Sequence, residues 1–430
     1  MLVPFQFAGR GRVAPSSAGG SYPVRPVADL AQARGVRECL QWFSREKQWI
    51  NEQHLQVCRI AAATFFEEKR AEWMAAQFRS FGYQVRLDRS GNVIAAPDGE
   101  REGPFIALTA HLDTVLAPRT PEEIRLEPDG RLRGPGVSDN GAGLAALLAI
   151  ARAMSSAPPI EDLLVPLVFI ANVGEEGEGN LSGMRYLCRH SSLNGKLGCF
   201  VVLDGPASDR ITCQALASRR FEISFTGPGG HSWSDHGAAN PVHALSRAVA
   251  LFVDSYEKGR LDGKSSLNFG TIEGGLSVNS IPTSARAKLD LRSEVPERLD
   301  DMEAELNASV EKARDIENRQ SSGSKVTAKI REIGSRPGGR LPEDAAVLRY
   351  LKAVDEHLSI RSQLDCASTD ANVPLSMGIP AVSIGAGGQG GGAHTPGEWF
   401  HPEGRELALR RILLTLCLLM QDPDAVRPAA

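Results

Sequence analysis

The sequence predicts an α/β protein whose mainly parallel sheet is flanked by helices and interrupted by an inserted ferredoxin-like (βαββαβ) domain. Apolar runs of strand length alternate with helical patterns up to residue 215, which is the order that builds a parallel sheet covered on both faces. Between residues 216 and 335 the order becomes strand, helix, strand, strand, helix, strand. The first pattern returns over residues 336–430, so the chain leaves one domain, builds a second and comes back.

The composition argues against nucleic acid or membrane as a partner. Against 52 acidic side chains stand 48 basic ones, and the net charge of −4 gives no general attraction to polyanions. The longest apolar stretches, 163–173 and 412–420, are shorter than the roughly 20 residues of a membrane-spanning helix. Seven scattered cysteines without a C-x-x-C pair indicate a reducing compartment. We therefore expect a soluble cytoplasmic protein that acts on a small molecule.

Residues 34–215 form the first part of the larger predicted domain and follow an irregular N-terminal arm at residues 1–33, which is rich in Gly, Pro, Ser and Arg. Apolar residues between Val36 and Phe81 recur among charged ones at helical spacing, which predicts two or three helices. A long apolar stretch predicts another helix at Gly141–Met154. Strands are predicted at 83–88, 92–96, 105–112, 163–173 and 199–204.

The inserted domain contains four predicted strands and two predicted helices. The strands are expected at 219–226, 267–272, 285–292 and 325–333, and the helices at 241–256 and 296–316. The last part of the larger domain begins with a helix at Glu343–His357, continues with a strand at 380–387 and includes the apolar helix at 412–420.

Polar residues that end the predicted strands are the candidates for chemistry, because open α/β sheets bind ligands beyond the carboxyl ends of their strands. His111 and Asp113 lie two residues apart at the end of a buried apolar run, so their side chains point to one face. The pair suits a metal-binding imidazole whose other ring nitrogen is held by a carboxylate. A His–Asp pair that only satisfies itself at the strand end is the alternative.

Four further segments carry carboxylates or an imidazole at such positions. Asp139 precedes the long apolar helix, where an N-cap is the ordinary role. Glu175 and Glu176 follow a strand and repel each other unless a cation neutralises them or water solvates the loop. Asp204 closes another strand, and His394 follows the last one. Two imidazoles with several carboxylates suit zinc or a similar ion, and the surplus negative charge suits two ions that share a carboxylate.

The motifs AHLDTV, GPGVSDNGAG, GEEGEG, VLDG and GAHTPGE, in this order and with the inserted domain, resemble the dinuclear zinc peptidase family of peptidase T, carboxypeptidase G, aminoacylase and succinyl-diaminopimelate desuccinylase. The resemblance covers about residues 55–420, is closest to the peptidase T-like branch, and implies the zinc-peptidase fold with the insertion as its lid. It also implies that Asp139 bridges two zinc ions. By the same resemblance, His111 and Asp204 would complete one metal site, and Glu176 and His394 would complete the other. Glu175 would be the catalytic base, and Asp113 would orient His111.

The resemblance extends to the inserted domain. His231 in GPGGHSW resembles a family histidine that reaches the substrate carbonyl, often across a dimer interface, although a satisfied loop histidine is the alternative. GGLSVNSIP and LDLRS resemble segments that contact substrate, which nominates Asn279 and Arg292. The resemblance therefore implies a homodimer formed through the lid.

Two departures from the family pattern bear on the site. Asn140 stands where many members have a second acidic residue, at a position that commonly joins a non-proline cis peptide, so we expect a cis bond between Asp139 and Asn140. Cys366 and Ala367 replace the glycines of a G-G-[ST]-D stretch, which leaves open the end group that the enzyme recognises on its substrate.

Together these features predict a metallopeptidase that cleaves short peptides as an aminopeptidase or as a di- or tripeptidase. A carboxypeptidase or an N-acyl amino acid amidohydrolase of the same family is the alternative. A non-catalytic binding protein on this fold is expected to have lost one of the ligands, and none is missing. The spacing of Gly385, Gly387 and Gly390 matches a dinucleotide fingerprint, but no helical pattern follows it, which disfavours an oxidoreductase.

Overall fold

A computed structural model describes residues 24–97, 103–259 and 264–426. They divide into two compact units, a smaller one at Leu216–Gly339 and a larger one on both sides of it in the sequence. Residues 1–23 of the predicted N-terminal arm lie outside the described ranges. The prediction that the chain is irregular up to residue 33 is wrong, because Val27–Gln32 form a helix that buries Leu30.

The chain before residue 216 supplies most of the central sheet. Three helices occupy the region where two or three were predicted, and the long apolar helix is confirmed. The prediction missed one short helix, the two-residue strands at Arg125–Leu126 and Leu132–Arg133, and the last strand, whose sequence RITCQA has no continuous apolar run. The helices are α1 Val27–Gln32, α2 Arg34–Arg45, α3 Lys47–Arg59, α4 Glu68–Ser80, α5 Gly141–Ser156 and α6 Ser182–Arg189, and the strands are β1 Gln84–Leu87, β2 Val93–Ala96, β3 Phe105–His111, β4 Arg125–Leu126, β5 Leu132–Arg133, β6 Leu167–Asn172, β7 Leu197–Leu203 and β8 Arg210–Ala215.

The smaller unit has the predicted ferredoxin-like order. Its elements are β9 Ala217–Thr226, β10 Gly230–His231, α7 Pro241–Gly259, β11 Ser265–Gly274, β12 Ser280–Ile281, β13 Ser284–Ser293, α8 Glu297–Gln320 and β14 Thr327–Arg336. Four of the strands form an antiparallel sheet in the order β11–β13–β9–β14. Alternate residues of β13, such as Ala287 and Leu289, are buried in the core of this unit, since successive side chains point to opposite faces of a strand.

The chain after the smaller unit returns to the central sheet. It forms β15 Gly339–Arg340, α9 Ala346–Leu358, β16 Gln363–Ala367, α10 Asn372–Ser376, β17 Ala381–Ile384, β18 Gln389–Gly391, β19 Trp399–His401 and α11 Arg405–Gln421. The glycine-rich segment after β17 leads into β18 and not into a helix, so it does not build a dinucleotide-binding turn. No helix in the described ranges is long and apolar enough to cross a membrane.

The central sheet has the order β1–β2–β6–β3–β7–β17–β8–β15, with β16 beside β8. Its middle strands β6, β3, β7 and β17 are parallel, whereas the pairs β1–β2, β2–β6 and β17–β8 are antiparallel. Every residue of β3, β6 and β7 is buried, as expected for parallel strands covered by helices on both faces. The predicted fold class is confirmed.

The register of the parallel strands brings their carboxyl ends to one edge. His111, the last residue of β3, pairs with Asn172, the last residue of β6. At the ends of the next pair, Leu203 of β7 lies opposite Ile384 of β17. The loops that follow these strands therefore begin side by side.

A buried ion pair between α9 and α11 provides a test of this packing. Arg411 is fully buried, and its Nε and Nη2 lie 2.6 and 2.7 Å from the two carboxylate oxygens of Asp355. Asp355→Ala would leave the guanidinium buried without its counter-ion, so we expect a loss of about 3–5 kcal/mol in the free energy of unfolding, measured by urea denaturation. Glu356→Ala, at the exposed neighbouring position, should leave the transition nearly unchanged. Equal stability of the two variants would contradict this account.

Candidate metal centre

His111 ends β3 and directs its ring at two carboxylates. Nδ1 lies 3.0 Å from the backbone oxygen of Asp113, and because a carbonyl only accepts, this nitrogen is the donor. The second ring nitrogen, Nε2, is 3.1 Å from Oδ1 of Asp139 and 3.9 Å from Oδ1 of Asp204. Burial alone would lower the pKa of His111, but the hydrogen bonds with these aspartates raise it well above its ordinary value.

His394 approaches the same aspartate from the other side. Its backbone adopts the left-handed conformation, with φ of 64°, which is uncommon for a residue other than glycine. Nε2 lies 3.1 Å from Oδ2 of Asp139 and 3.0 Å from Oε1 of Glu176. The hydrogen bond with Asp139 and the nearby charge of Glu176 raise the pKa of His394 to about 9.

Asp139 lies at the middle of the cluster, with Oδ1 facing His111 and Oδ2 facing His394. Although burial opposes ionisation, the hydrogen bonds from the two imidazoles hold the pKa of this carboxyl below its usual range. Burial and the charge of Asp139 raise the pKa of Glu176 to about 7. The carboxylates are thus stable side by side only when positive charge lies between them.

The donor set fits divalent metal ions. His111, Asp139 and Glu176 offer ligand atoms that all lie within 4.8 Å of one another. Zinc ligands lie about 2.0–2.2 Å from the ion, so two ligands of one ion are separated by about 3–4 Å. The observed distances of 3.0 to 3.9 Å match this separation for two groups that share Asp139. One group adds His111 and Asp204, and the other adds His394 and Glu176.

Asp113 holds the backbone that carries the adjacent glutamates. Its Oδ1 accepts from the N–H of Glu175 at 3.0 Å and its Oδ2 from the N–H of Glu176 at 2.9 Å. The hydroxyl of Thr64 donates to Oδ2 as well, at 2.9 Å. The Asp113 carboxylate is 3.6 Å from Nδ1 of His111, so the predicted orienting contact is made more closely by the Asp113 carbonyl.

Asn140 connects the loop of Asp139 to the next strand. The Asp139–Asn140 peptide is cis, as predicted. The side chain of Asn140 accepts from the N–H of Gly143, so this residue, and not Asp139, caps α5. The same oxygen accepts from Gly205 at 3.3 Å, and Nδ2 donates to the carbonyl of Leu203 at 2.9 Å. Asn140 therefore fixes the start of α5 against the residues on either side of Asp204.

Glu398 belongs to the motif GAHTPGE but was not singled out by the sequence. It is buried, and its carboxylate accepts three backbone hydrogen bonds of 2.7 to 2.8 Å, from Gly136, Ser138 and Asp139. Burial raises the pKa of Glu398, although these hydrogen bonds act in the opposite direction. Its proximity to His394 in the motif is the one signal in the sequence that could have indicated a role.

Asp370, four residues after Cys366 in the sequence CASTDAN, is a second buried carboxyl that no sequence motif indicated. Oδ2 accepts from Nδ2 of Asn172 at 2.6 Å, next to the end of β6. Burial raises the pKa of Asp370 to about 7. Cys366 and Ala367, which replace the glycines of the family pattern, lie in β16.

The smaller unit brings two of its three nominated residues together. His231 of β10 pairs with Ser280, and the N–H of Ser232, which follows β10, donates to the carbonyl of Asn279 at 3.0 Å. Nδ1 of His231 accepts from the backbone N–H groups of Trp233 and Ser234 at 3.2 and 3.3 Å. The neutral ring must therefore carry its proton on Nε2, which leaves that nitrogen as a donor.

Arg292 lies apart from His231 and Asn279. It is near the end of β13, whereas β12 precedes the beginning of that strand. Nε of Arg292 donates to Asp290 at 2.7 Å. The structure thus does not place Arg292 with the other two residues.

Several known proteins resemble this chain in sequence or in fold. A probable carboxypeptidase of Aspergillus terreus is 32% identical over 56% of this chain, and the alignment spans 59% of that relative. A tripeptidase structure from Staphylococcus aureus superposes with a TM-score of 0.68 at 20% identity, covering 87% of this chain and 99% of the other. A dinuclear metal binding peptidase from Bacillus subtilis gives 0.63 at 16% identity, covering 89% and 99%. The two structural likenesses show a shared fold.

A family model also matches most of the chain. The model of peptidase family M20/M25/M40 matches residues 107–418, which include every candidate ligand of the cluster. A non-catalytic scaffold and a dinucleotide oxidoreductase are both at odds with this match. The chain therefore belongs to peptidase family M20/M25/M40 and is a metallopeptidase of that family.

Proposed function

We propose that this protein hydrolyses peptide bonds of short peptides with two zinc ions that share Asp139. The observation that carries the proposal is the orientation of this carboxylate, whose two oxygens face two different histidines. His111 and Asp204 would hold one ion, and His394 and Glu176 the other. The surplus of carboxylates over imidazoles supports two ions rather than one.

Glu175 is proposed as the general base. It is buried beside the proposed ligand Glu176, and Asp113 fixes its backbone. Bound zinc ions would polarise the scissile carbonyl and lower the pKa of nearby water. Glu175 would take a proton from the attacking water and pass it to the leaving nitrogen, because a carboxylate in this position can act first as base and then as acid.

His231 is proposed to stabilise the negative charge that develops on the substrate carbonyl. The support is its tautomer, because the neutral ring presents an N–H donor at Nε2. Asn279, whose carbonyl accepts from the residue after His231, is proposed to contact substrate. Arg292, which donates to Asp290, is proposed as a second substrate contact on the resemblance alone. The resemblance further supports a homodimer formed through the smaller unit.

The end group of the substrate separates two candidate activities. The tripeptidase neighbour and the peptidase T-like motifs support action on short peptides with a free amino group. The relative described as a probable carboxypeptidase supports recognition of a free carboxylate, on a peptide or an N-acyl amino acid. Rates on di- and tripeptides, N-blocked peptides and N-acyl amino acids would separate the two. We also propose a cytoplasmic location, which the seven free cysteines support.

Removal of metal tests the proposal as a whole. We expect the protein as purified to hold two divalent ions per chain by elemental analysis, and a chelator to abolish hydrolysis of a tripeptide. Zinc added to the metal-free protein should restore the activity, since the ligands remain in place. Full activity in metal-free protein would contradict the proposal.

The role of Glu175 is tested by Glu175→Gln. The amide keeps the size of the side chain but cannot accept the proton, so we expect turnover to fall by about 100- to 10,000-fold with metal content unchanged. Glu178→Gln, an exposed position in the same loop, is the control and should retain normal turnover. Turnover of Glu175→Gln close to that of the control would remove Glu175 from the base role.

The role of His231 is tested by His231→Ala. Loss of the Nε2 donor should reduce kcat by about 100- to 1,000-fold, while the two metal ions stay bound. His236→Ala changes a nearby histidine of the same loop and should leave kcat unaffected. An unchanged kcat in His231→Ala would identify His231 as an ordinary loop histidine.

A further inference from the structure

The loop that carries Asp139 lies outside regular secondary structure. It runs from the end of β5 to the start of α5, so the regular hydrogen bonds of a helix or a strand do not satisfy its backbone N–H groups. On one side, Trp399 of β19 pairs with Arg133 of β5. The ladder continues one step further, because the N–H of Gly134 donates to the backbone oxygen of Glu398 at 2.9 Å.

Beyond Gly134 the hydrogen-bond acceptor is the side chain of Glu398 and no longer its backbone oxygen. Oε2 accepts from Gly136 at 2.8 Å, and Oε1 accepts from Ser138 at 2.7 Å and from Asp139 at 2.8 Å. Only 2% of Glu398 is exposed, so water does not compete for these donors. A single carboxylate thus fixes the conformation of the loop up to the residue at the middle of the cluster.

The same residue is tied to the segment that carries the other histidine. His394 lies four positions before Glu398, and the N–H of Glu398 donates to the carbonyl of Thr395 at 3.2 Å. The contact between Nε2 of His394 and Oδ2 of Asp139 therefore joins two segments that Glu398 already holds together. Movement of either segment would change the distance between these two side chains.

We propose that Glu398 is a positioning residue of the metal centre, which sets the placement of Asp139 relative to His394 through three backbone hydrogen bonds. Glu398 would act through the backbone of the loop, because both of its carboxylate oxygens accept from backbone N–H groups. The inference rests on the metal centre proposed above and adds to it a residue with no role in the proposed ligand set or in proton transfer.

Glu398→Gln tests the inference because it keeps the shape of the side chain and replaces one acceptor oxygen with a donor. An NH₂ group would then face a backbone N–H, and the loop would have to move. We expect the dissociation constant for Co²⁺, measured by titration of metal-free protein, to rise by about 10- to 100-fold. The visible spectrum of bound Co²⁺ should change, and with saturating metal kcat should fall while KM for a tripeptide stays near its normal value.

The matched control is Glu403→Gln, an exposed position five residues after Glu398 whose carboxylate lies 3.8 Å from Nδ1 of His401. It should show normal Co²⁺ affinity, spectrum and kcat. If Glu398→Gln does not fold by circular dichroism, Glu398→Asp replaces it, since the shorter carboxylate keeps the charge but cannot reach all three donors.

The outcomes separate this inference from the proposed function. Normal Co²⁺ affinity and spectrum in a folded Glu398 variant would overturn the positioning role and leave the metal centre intact. Failure of the wild-type protein to bind Co²⁺ would overturn both. Weakened affinity with an altered spectrum, in a variant that unfolds at a temperature close to that of the control, is the expected result.

Discussion

Repulsion among carboxylates at the carboxyl end of the sheet is the constraint around which the site is built. Asp139, Glu176 and Asp204 each lie within 3.9 Å of an imidazole nitrogen and are at most one-fifth exposed, where like charges are costly. Burial and the charge of Asp139 raise the pKa of Glu176, whereas the hydrogen bond with Asp139 and the charge of Glu176 raise the pKa of His394. Both shifts favour the form of the side chain that holds its proton, which lowers the net negative charge of the cluster. Divalent ions supply that charge more densely than protons and are the natural counterpart of such a cluster.

Buried polar side chains hold the loops that present these groups. Asp113 and Glu398 accept from backbone N–H groups of these loops, and Arg70 and His54 contact backbone carbonyls. Arg70 donates to the carbonyls of Leu112 and Ile60, and Nε2 of His54 lies 2.6 Å from the carbonyl of Val137. Irregular loops have backbone groups that no ladder satisfies, so side chains from other elements must do so. Buried side chains thus satisfy backbone groups of the loops that carry the candidate ligands.

The sequence could predict His111, Glu176 and Asp204 as candidate ligands because each lies at or just beyond the end of an apolar run. The other two candidates lie elsewhere, since Asp139 precedes the apolar helix α5 and His394 follows the glycine-rich segment after β17. Parallel strands place such residues at one edge, so the cluster of His111, Asp139, Glu176, Asp204 and His394 follows from the strand pattern together with the family resemblance. The six main elements of the smaller unit were predicted for a similar reason, since their apolar periodicities are regular. The strands β8 and β16 were missed because their sequences lack an apolar run.

The contacts that support the ligands could not be predicted in the same way. Glu398 lies about 260 positions from its three donors in the sequence, and no local pattern reports such a contact. Asn140 was identified only as a departure from the family, whereas its part in capping α5 and holding Gly205 depends on the folded arrangement. The carbonyl of Asp113, and not its carboxylate, makes the closer contact with Nδ1 of His111, and the two distances differ by less than 1 Å.

The most direct test of the account is a crystal structure of the zinc-loaded protein with anomalous diffraction at the zinc edge. Asp139 should lie between two anomalous peaks about 3.5–4 Å apart, one beside His111 and the other beside His394. A single peak, or two peaks of which neither adjoins the Asp139 carboxylate, would contradict the central claim that this residue bridges two metal ions.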